Sequence, residues 1–168
     1  NLACQFCPQN HDSTFGMDAI RDKITNVKLA LDSIQIKGKT SCKVNIMGGE
    51  LFSDFVDDKY FEDYKFLIEK IREHSAEINL PVKIHISTNL VWSDRERVKK
   101  LLDEAKIPLF VSYDPAGRFN TSTLKIFYEN VKYFKDYILQ IGCVMTKPSM
   151  QKIMSKNAPH FDELYENF

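Results

Sequence analysis

The feature that most constrains the fold is a regular alternation between amphipathic helical segments and short apolar runs. Apolar residues recur at the spacing of one helical face from Asp18 to Ile36 and again in four later segments, and Ser93 with Glu96 forms the pattern of a capping box before the third helix. The runs between the helices predict strands: KVNIMGGE, VKIHISTN, IPLFVSYD and YILQIGCVMT. The predicted order is therefore α–β–α–β–α–β–α–β–α.

This alternation predicts an α/β fold with a parallel sheet. Strands that are joined through helices run parallel, and their crossovers are right-handed. The sequence has no internal repeat, low-complexity tract or linker, so residues 1–168 are predicted to form a single domain.

Polar residues gather at the carboxyl end of the predicted strands. In VKIHISTN, Ser87 and Asn89 share one face, and Ser112 and Asp114 share a face in the next strand. Glu50 follows the glycines that end the first run. Parallel α/β sheets and barrels bind their ligands at this end, so the pattern predicts a site there. Each residue taken alone is equally well explained as an ordinary strand-end or turn residue.

The amino-acid composition limits the kinds of partner that the protein is expected to bind. Lys and Arg together number 23, as do Asp and Glu, so the net charge is zero, which argues against a nucleic-acid or anionic-membrane surface. No apolar run approaches the ~20 residues of a membrane span. Four cysteines in a chain with a sizeable core favour metal or redox use over disulfides, and we expect a cytoplasmic location.

The pair Cys4 and Cys7 has the spacing of a metal-ligand loop. Zinc would need two further ligands, and the sequence has no second C-x-x-C pair. Cys42, placed before the first strand, and Cys143, placed within the last, are interpreted as small buried hydrophobic residues. The residues alone therefore leave the ligand set incomplete.

Four motifs together resemble the radical S-adenosylmethionine (radical SAM) family. NLACQFC resembles the end of its C-x-x-x-C-x-x-C cluster-binding loop, with the first cysteine falling immediately before Asn1. IMGGE resembles the GGE motif of the family, STN resembles its third-strand ending, and SYD resembles the Ser-x-Asp of its fourth strand. Leu51 and Leu90 depart from the pattern, since the family often has Pro and Gly there.

The resemblance implies a partial (βα)6 TIM-like barrel. On that register residues 1–168 hold strands two to five, and strand one, the first cysteine and strand six lie outside the fragment. It further implies two cofactors, a [4Fe–4S] cluster and S-adenosylmethionine, and reductive cleavage of the latter to a 5′-deoxyadenosyl radical that abstracts hydrogen from a substrate. The residues that it implicates are Cys4 and Cys7 as metal ligands and Phe6, Gly48, Gly49, Glu50, Ser87, Asn89, Ser112, Asp114 and Arg118 as cofactor-binding residues.

The resemblance also implies roles for these residues. Phe6 would pack near the adenine, and Gly48 and Gly49 would let the backbone approach the methionine moiety closely. Glu50 would accept hydrogen bonds from the ammonium group of the ligand. The four polar strand-end residues would meet ribose hydroxyls or the amino-acid end, and Arg118 would pair with the ligand carboxylate.

The sequence allows more than one substrate class and two alternative functions. The substrate is either a peptide or protein, which the GGE and Ser-x-Asp combination favours, or a small molecule, and an external electron donor such as flavodoxin or ferredoxin is expected. One alternative is a zinc-binding or protein-interaction module in which Cys4 and Cys7 share the metal with ligands outside the fragment. Another is an ordinary (βα) barrel enzyme in which the cysteine pair is incidental.

Overall fold

The computed structural model describes residues 18–114 and 118–143 together with residues 147, 150 and 151, with side chains described from residue 23 onward. Helices and strands alternate through this part of the chain. Their bounds are α1 Asp18–Ile36, β1 Cys42–Ile46, α2 Asp58–Glu77, β2 Val82–Thr88, α3 Arg95–Ala105, β3 Leu109–Tyr113, α4 Thr121–Phe134, a 3₁₀ turn Lys135–Tyr137 and β4 Ile138–Cys143. The predicted α/β alternation is confirmed over this range, whereas the predicted fifth helix lies outside the described residues.

The four strands form one parallel sheet in the order β1-β2-β3-β4. Cys42 pairs with Val82, Thr88 pairs with Val111, and Ser112 pairs with Gly142, so the carboxyl ends of neighbouring strands lie side by side. Within the described residues β1 and β4 are the two edges of the sheet. This is the arrangement expected of part of a TIM-like barrel, and the predicted fold class is confirmed.

One face of the sheet packs against the helices and forms the core. Ile84, Ile86 and Val111 alternate along their strands and are buried, as strand periodicity requires. An aromatic group extends this core, because the Trp92 ring makes edge contacts with Phe52 and Phe134 at centroid distances of 5.7 and 5.2 Å. Buried aromatic pairs of this geometry add about 0.5–1.5 kcal/mol each to their area burial.

Two local predictions need correction. Helix α3 begins at Arg95 with Asp94 as its N-cap, whose side chain accepts a hydrogen bond from the Arg97 amide, so the predicted Ser93 capping box is wrong. The Ser93 amide instead donates to Asp54, which fixes that residue one position before the cap. Cys42 begins β1 instead of preceding it, and both Cys42 and Cys143 are half-buried, free thiols.

Among the helices of the described residues, none combines the length and the apolar character that crossing a membrane requires.

Helix α1 is joined to α2 through a histidine that faces two carboxylates. His74 Nε2 lies 2.7 Å from Asp32 Oδ1 on α1, and Nδ1 lies 3.1 Å from Glu77. Burial of the ring and nearby Lys28 lower the pKa of His74, but the hydrogen bonds to Glu77 and Asp32 outweigh them and raise this pKa above its ordinary value. The protonated ring can donate to both carboxylates at once.

We expect the Asp32→Asn variant to lose stability in a pH-dependent way. Because the folded-state pKa of His74 is raised, its contribution is complete below the unfolded pKa of about 6.5 and disappears as the pH rises through the folded value. The free energy of unfolding should therefore fall by roughly 0.5–1 kcal/mol at pH 5.5 and by less at pH 8.5, as measured by urea denaturation. Glu73→Gln, which breaks an exposed ion pair on the same helix, is the control and should show equal losses. An Asp32→Asn loss that is the same at both pH values would contradict this prediction.

Candidate functional site

The candidate site lies where the carboxyl ends of β1, β2 and β3 meet. Its centre is the Glu50 carboxylate, which accepts hydrogen bonds from its own turn and from the end of β2. Oε1 accepts from the Phe52 amide at 3.2 Å and from Thr88 Oγ1 at 2.9 Å. Oε2 accepts from the Asn89 amide at 2.7 Å. The side chain therefore ties the turn after β1 to the end of β2.

The environment of Glu50 opposes its ionisation. Desolvation by burial raises the pKa of Glu50 to about 7, although the hydrogen bonds from Asn89, Phe52 and Thr88 lower it. Burial penalises the charged form, whereas donors that point at the carboxylate favour it. Near neutral pH the group is therefore close to half-ionised. A bound cation would shift it to the anionic form.

The glycine turn that precedes Glu50 has open space beside it. A Cβ added to Gly49 would meet no atom of the described residues within 4 Å, and one added to Gly48 would lie 3.2 Å from the side-chain tip of Leu51. The packing of the described residues therefore does not require glycine at position 49. The prediction that these glycines admit a ligand at close range stays a prediction, and the open space is compatible with it.

The loop after β2 is held in place from helix α4. Asn130 is completely buried, and its Nδ2 donates to the carbonyls of Leu90 at 2.9 Å and Trp92 at 2.8 Å, while its Oδ1 accepts from Arg95 Nε at 2.6 Å. Leu90 has a positive φ of 57°, a conformation that non-glycine residues rarely adopt, in the position where the family pattern has glycine. Buried contacts thus maintain a backbone geometry that the Leu90 side chain itself disfavours.

The other predicted site residues fall into two local groups. Asn89 contributes its amide to Glu50 and accepts from the Val91 amide at 2.8 Å, whereas the Ser87 hydroxyl donates to Asn45 of β1 at 2.9 Å. At the next strand, β3, the carbonyl of Ser112 accepts a hydrogen bond at 2.8 Å from Nη1 of Arg118, which lies in the turn before α4.

Asp114 is fully buried just beyond the end of β3. Asn89 and Ser112 each follow the registered pair Thr88 and Val111 by one residue, so the two groups lie at neighbouring strand ends. The structure therefore places the predicted residues that follow or end β1, β2 and β3 together at the carboxyl ends of these strands. Their roles toward a ligand stay predictions.

Two residues of the site were missed by the sequence analysis. Thr88 shares the helix-facing side of β2 with Ile84 and Ile86, opposite the polar residues that the sequence singled out, yet its hydroxyl contacts Glu50. Trp92 Nε1 donates to that same hydroxyl at 3.1 Å. A single tryptophan shortly after a strand-end threonine was the available signal, because a buried indole N–H needs an acceptor.

The predicted metal ligands Cys4 and Cys7, and Phe6 between them, lie outside the described residues. Within the part of the chain that the structure describes, no group of three or more His, Cys, Asp or Glu side chains is arranged to hold a metal ion. The described residues thus contribute polar and backbone groups to the candidate site, and any cluster would depend on the N-terminal cysteines.

Comparisons with known proteins support the fold assignment. No protein-family model and no curated protein matches the chain. Among solved structures, hexahistidine-tagged anSMEcpe with bound AdoMet (S-adenosylmethionine) matches with a TM-score of 0.60 and 23% sequence identity, over 100% of this chain and 44% of that one. Native anSMEcpe with bound AdoMet matches with a TM-score of 0.54 and 19% identity, over 100% and 45%. The chain spans less than half the length of these structures, which are those of a radical SAM enzyme, and it shares their fold.

The titration of Glu50 should be visible in the stability of the protein. Its folded-state pKa of about 7 exceeds the ordinary value of 4.5, so between these pH values the unfolded chain loses a proton that the folded chain keeps. The free energy of unfolding therefore falls by up to about 1 kcal/mol per pH unit as the pH rises through this window. The Glu50→Gln variant should lack this part of the pH dependence. The free energy of unfolding of both proteins at pH 5, 6 and 7 is the measurement. Parallel curves would contradict the raised pKa, and the Glu50 carboxyl ¹³C shift provides a direct check.

Proposed function

We propose that the chain is the core of a radical SAM enzyme, which binds a [4Fe–4S] cluster and S-adenosylmethionine. Together these cofactors would supply a one-electron reductive C–S cleavage, which yields methionine and a 5′-deoxyadenosyl radical that would abstract hydrogen from the substrate. The single observation that carries the proposal is the Glu50 carboxylate, set beside an open glycine turn at the carboxyl edge of a parallel sheet. The fold shared with AdoMet-bound anSMEcpe supports it.

The described residues fit the amino-acid end of S-adenosylmethionine. An ionised carboxylate has about four acceptor positions, and the described residues fill three of those on Glu50. The remaining position suits the ammonium group of the ligand, whose charge would offset the desolvation that raises the pKa of Glu50. Gly48 and Gly49 would line the approach to it.

The groups on β3 would complete the site. Arg118 already lies against the end of this strand through the Ser112 carbonyl, and its guanidinium could bind the ligand carboxylate in a bidentate manner. Ser87, Asn89, Ser112 and Asp114 are proposed to meet ribose hydroxyls or the amino-acid end of the ligand. Phe6 would lie near the adenine, and Cys4 and Cys7 would be two of the three thiolate ligands of the cluster.

The substrate is proposed only as a chemical class. The GGE and Ser-x-Asp combination favours a peptide or protein over a small molecule, and the matched structure is that of a sulfatase-maturating enzyme. A flavodoxin or ferredoxin would deliver the electron. A net charge of zero does not favour a nucleic acid.

Anaerobic reconstitution with iron and sulfide tests the cluster. We expect a brown protein whose broad visible absorption bleaches with dithionite, as in iron–sulfur proteins generally, and which then forms 5′-deoxyadenosine from S-adenosylmethionine. Cys4→Ala and Cys7→Ala should each lower iron content and product to background. Cys42→Ser and Cys143→Ser are the controls and should leave both unchanged. A colourless protein with stoichiometric zinc would favour the zinc-binding or protein-interaction module. Enzyme activity that is unchanged in the Cys4 and Cys7 variants would favour an ordinary barrel enzyme.

The third cluster thiolate is proposed to belong to the residue immediately before Asn1. We expect a chain that includes that residue to retain several times more iron after desalting than residues 1–168 alone, because two thiolates hold a cluster less firmly than three. Iron and sulfide per chain are the quantities to compare. As the control, the extended chain with that cysteine changed to serine should behave like residues 1–168. Equal iron in the three proteins would contradict the proposed ligand set.

A further inference from the structure

The hydroxyl of Thr88 lies at the centre of a directed hydrogen-bond chain. Thr88 is buried, and its Oγ1 lies 3.0 Å from the Leu90 amide, 3.1 Å from Trp92 Nε1 and 2.9 Å from Glu50 Oε1. An amide N–H and an indole N–H can only donate, so both lone pairs of the hydroxyl oxygen are used as acceptors. The single hydrogen of Thr88 must therefore point at Glu50.

This direction determines where Glu50 can hold a proton. Oε1 accepts from both Thr88 and the Phe52 amide, so its two acceptor positions are filled. Oε2 accepts from the Asn89 amide and, among the described residues, keeps one position open to a further donor. A proton on Glu50 must occupy that position, and an ammonium group that binds Glu50 needs the same one.

We propose that Thr88 and Trp92 are positioning residues of the site, which hold Glu50 so that a proton and the ammonium group of S-adenosylmethionine compete for one position on Oε2. This inference rests on the function proposed above and adds to it two residues and a mode of regulation by pH. Neither residue touches the ligand; they act through the carboxylate.

The surroundings of Trp92 explain why the chain of hydrogen bonds is rigid. The indole is only 1% exposed and is held between the Phe52 and Phe134 rings. The backbone carbonyl of Trp92 accepts a hydrogen bond from Asn130. Helix α4 therefore fixes the backbone of Trp92, and the core fixes its side chain. A donor that is locked in this way orients the Thr88 hydroxyl without the entropy cost of ordering a mobile group.

The competition makes ligand affinity depend on pH. The pKa of Glu50 lies near 7, so below this value the ligand must displace a proton, and affinity should fall about tenfold per pH unit. Between this value and the pKa of the ligand amino group the carboxylate is ionised and the ammonium group is charged, so affinity should change little with pH. The Thr88 hydrogen bond lowers the pKa of Glu50, so its removal should move the inflection to higher pH.

The test compares Thr88→Val with Thr88→Ser in the cluster-loaded protein under anaerobic conditions. The valine keeps the shape and removes the hydroxyl, and the serine keeps the hydroxyl. Dissociation constants for S-adenosylmethionine are measured from pH 5.5 to 8.5, and protons released on binding are obtained by calorimetry in two buffers of different ionisation enthalpy. Glu50→Gln provides the reference without a titrating carboxyl group.

For wild type and Thr88→Ser we expect about one proton to be released per bound ligand at pH 6 and only a minor fraction of a proton at pH 7.5. Thr88→Val should bind about tenfold more weakly at pH 7.5 and release more protons there than wild type, because a hydrogen bond to the charged form is lost. Trp92→Phe, which removes one donor to Thr88 and keeps an aromatic ring, should shift the inflection in the same direction by less. It also tests the proposal if Thr88→Val does not fold. A general loss of structure would weaken binding without moving the inflection.

The possible results separate this inference from the proposed function. Proton release and an inflection near pH 7 that moves in Thr88→Val and Trp92→Phe, and not in Thr88→Ser, would support the inference. Binding whose pH dependence is the same in all of these proteins would overturn the inference alone. No binding of S-adenosylmethionine by the wild type at any pH would overturn the proposed function, and the inference with it.

Discussion

The geometry of the candidate site depends on one carboxylate that joins two strand ends. Glu50 sits in the turn after β1, and its partners Thr88 and Asn89 belong to the end of β2. Two of its three donors are backbone amides, whose positions follow from the path of the chain. The carboxylate therefore needs no ordering of long side chains to be placed. A carboxylate held in this way is pre-organised, because the fold fixes its position, and the proposed ligand would find it already in place.

The two faces of the sheet explain why a ligand site can form here. A parallel sheet that is covered by helices on both faces reads as apolar on both. On β1 and β2 the helix-facing residues are apolar except for Thr88, whereas the opposite face carries exposed Lys43 and Asn45 on β1 and half-buried Ser87 on β2. His85 packs there against Phe110, with ring centroids 5.7 Å apart. This face of β1 and β2 therefore presents polar side chains, which cost little while they stay hydrated, beside the strand ends that form the candidate site.

The sequence predicted the elements well because their signals are local. Helical and strand periodicities report which face of each segment is buried, and the helices α1 and α2 and all four strands appear where the pattern places them. The Ser93 capping box failed because Asp54, which belongs to the turn before α2, recruits the Ser93 amide, and Asp94 is an equally good cap. The contact of Thr88 with Glu50 and the contacts of Asn130 were not predictable for a related reason. Each joins segments that are distant in sequence, and although the nearby tryptophan indicates one local partner of Thr88, neither a threonine on the apolar face nor an asparagine in a helix indicates a distant one.

The raised pKa of Glu50 has a cost in stability. A carboxyl group that is desolvated in the folded protein is held there more favourably in its neutral form, so the free energy of unfolding falls as the pH rises from the ordinary pKa of 4.5 to the raised value of about 7. Replacing Glu50 by an apolar residue would remove this cost, but it would leave Thr88 and the Asn89 amide without their acceptor. An ammonium group bound as proposed above would supply the opposite charge that the described residues do not place beside the carboxylate. The desolvation that lowers the stability of the protein would then strengthen the attraction for a cationic ligand, because a charge pair in a medium of low polarity interacts more strongly than in water. Under the proposed function, stability and affinity at this position are two consequences of the desolvation of one carboxyl group.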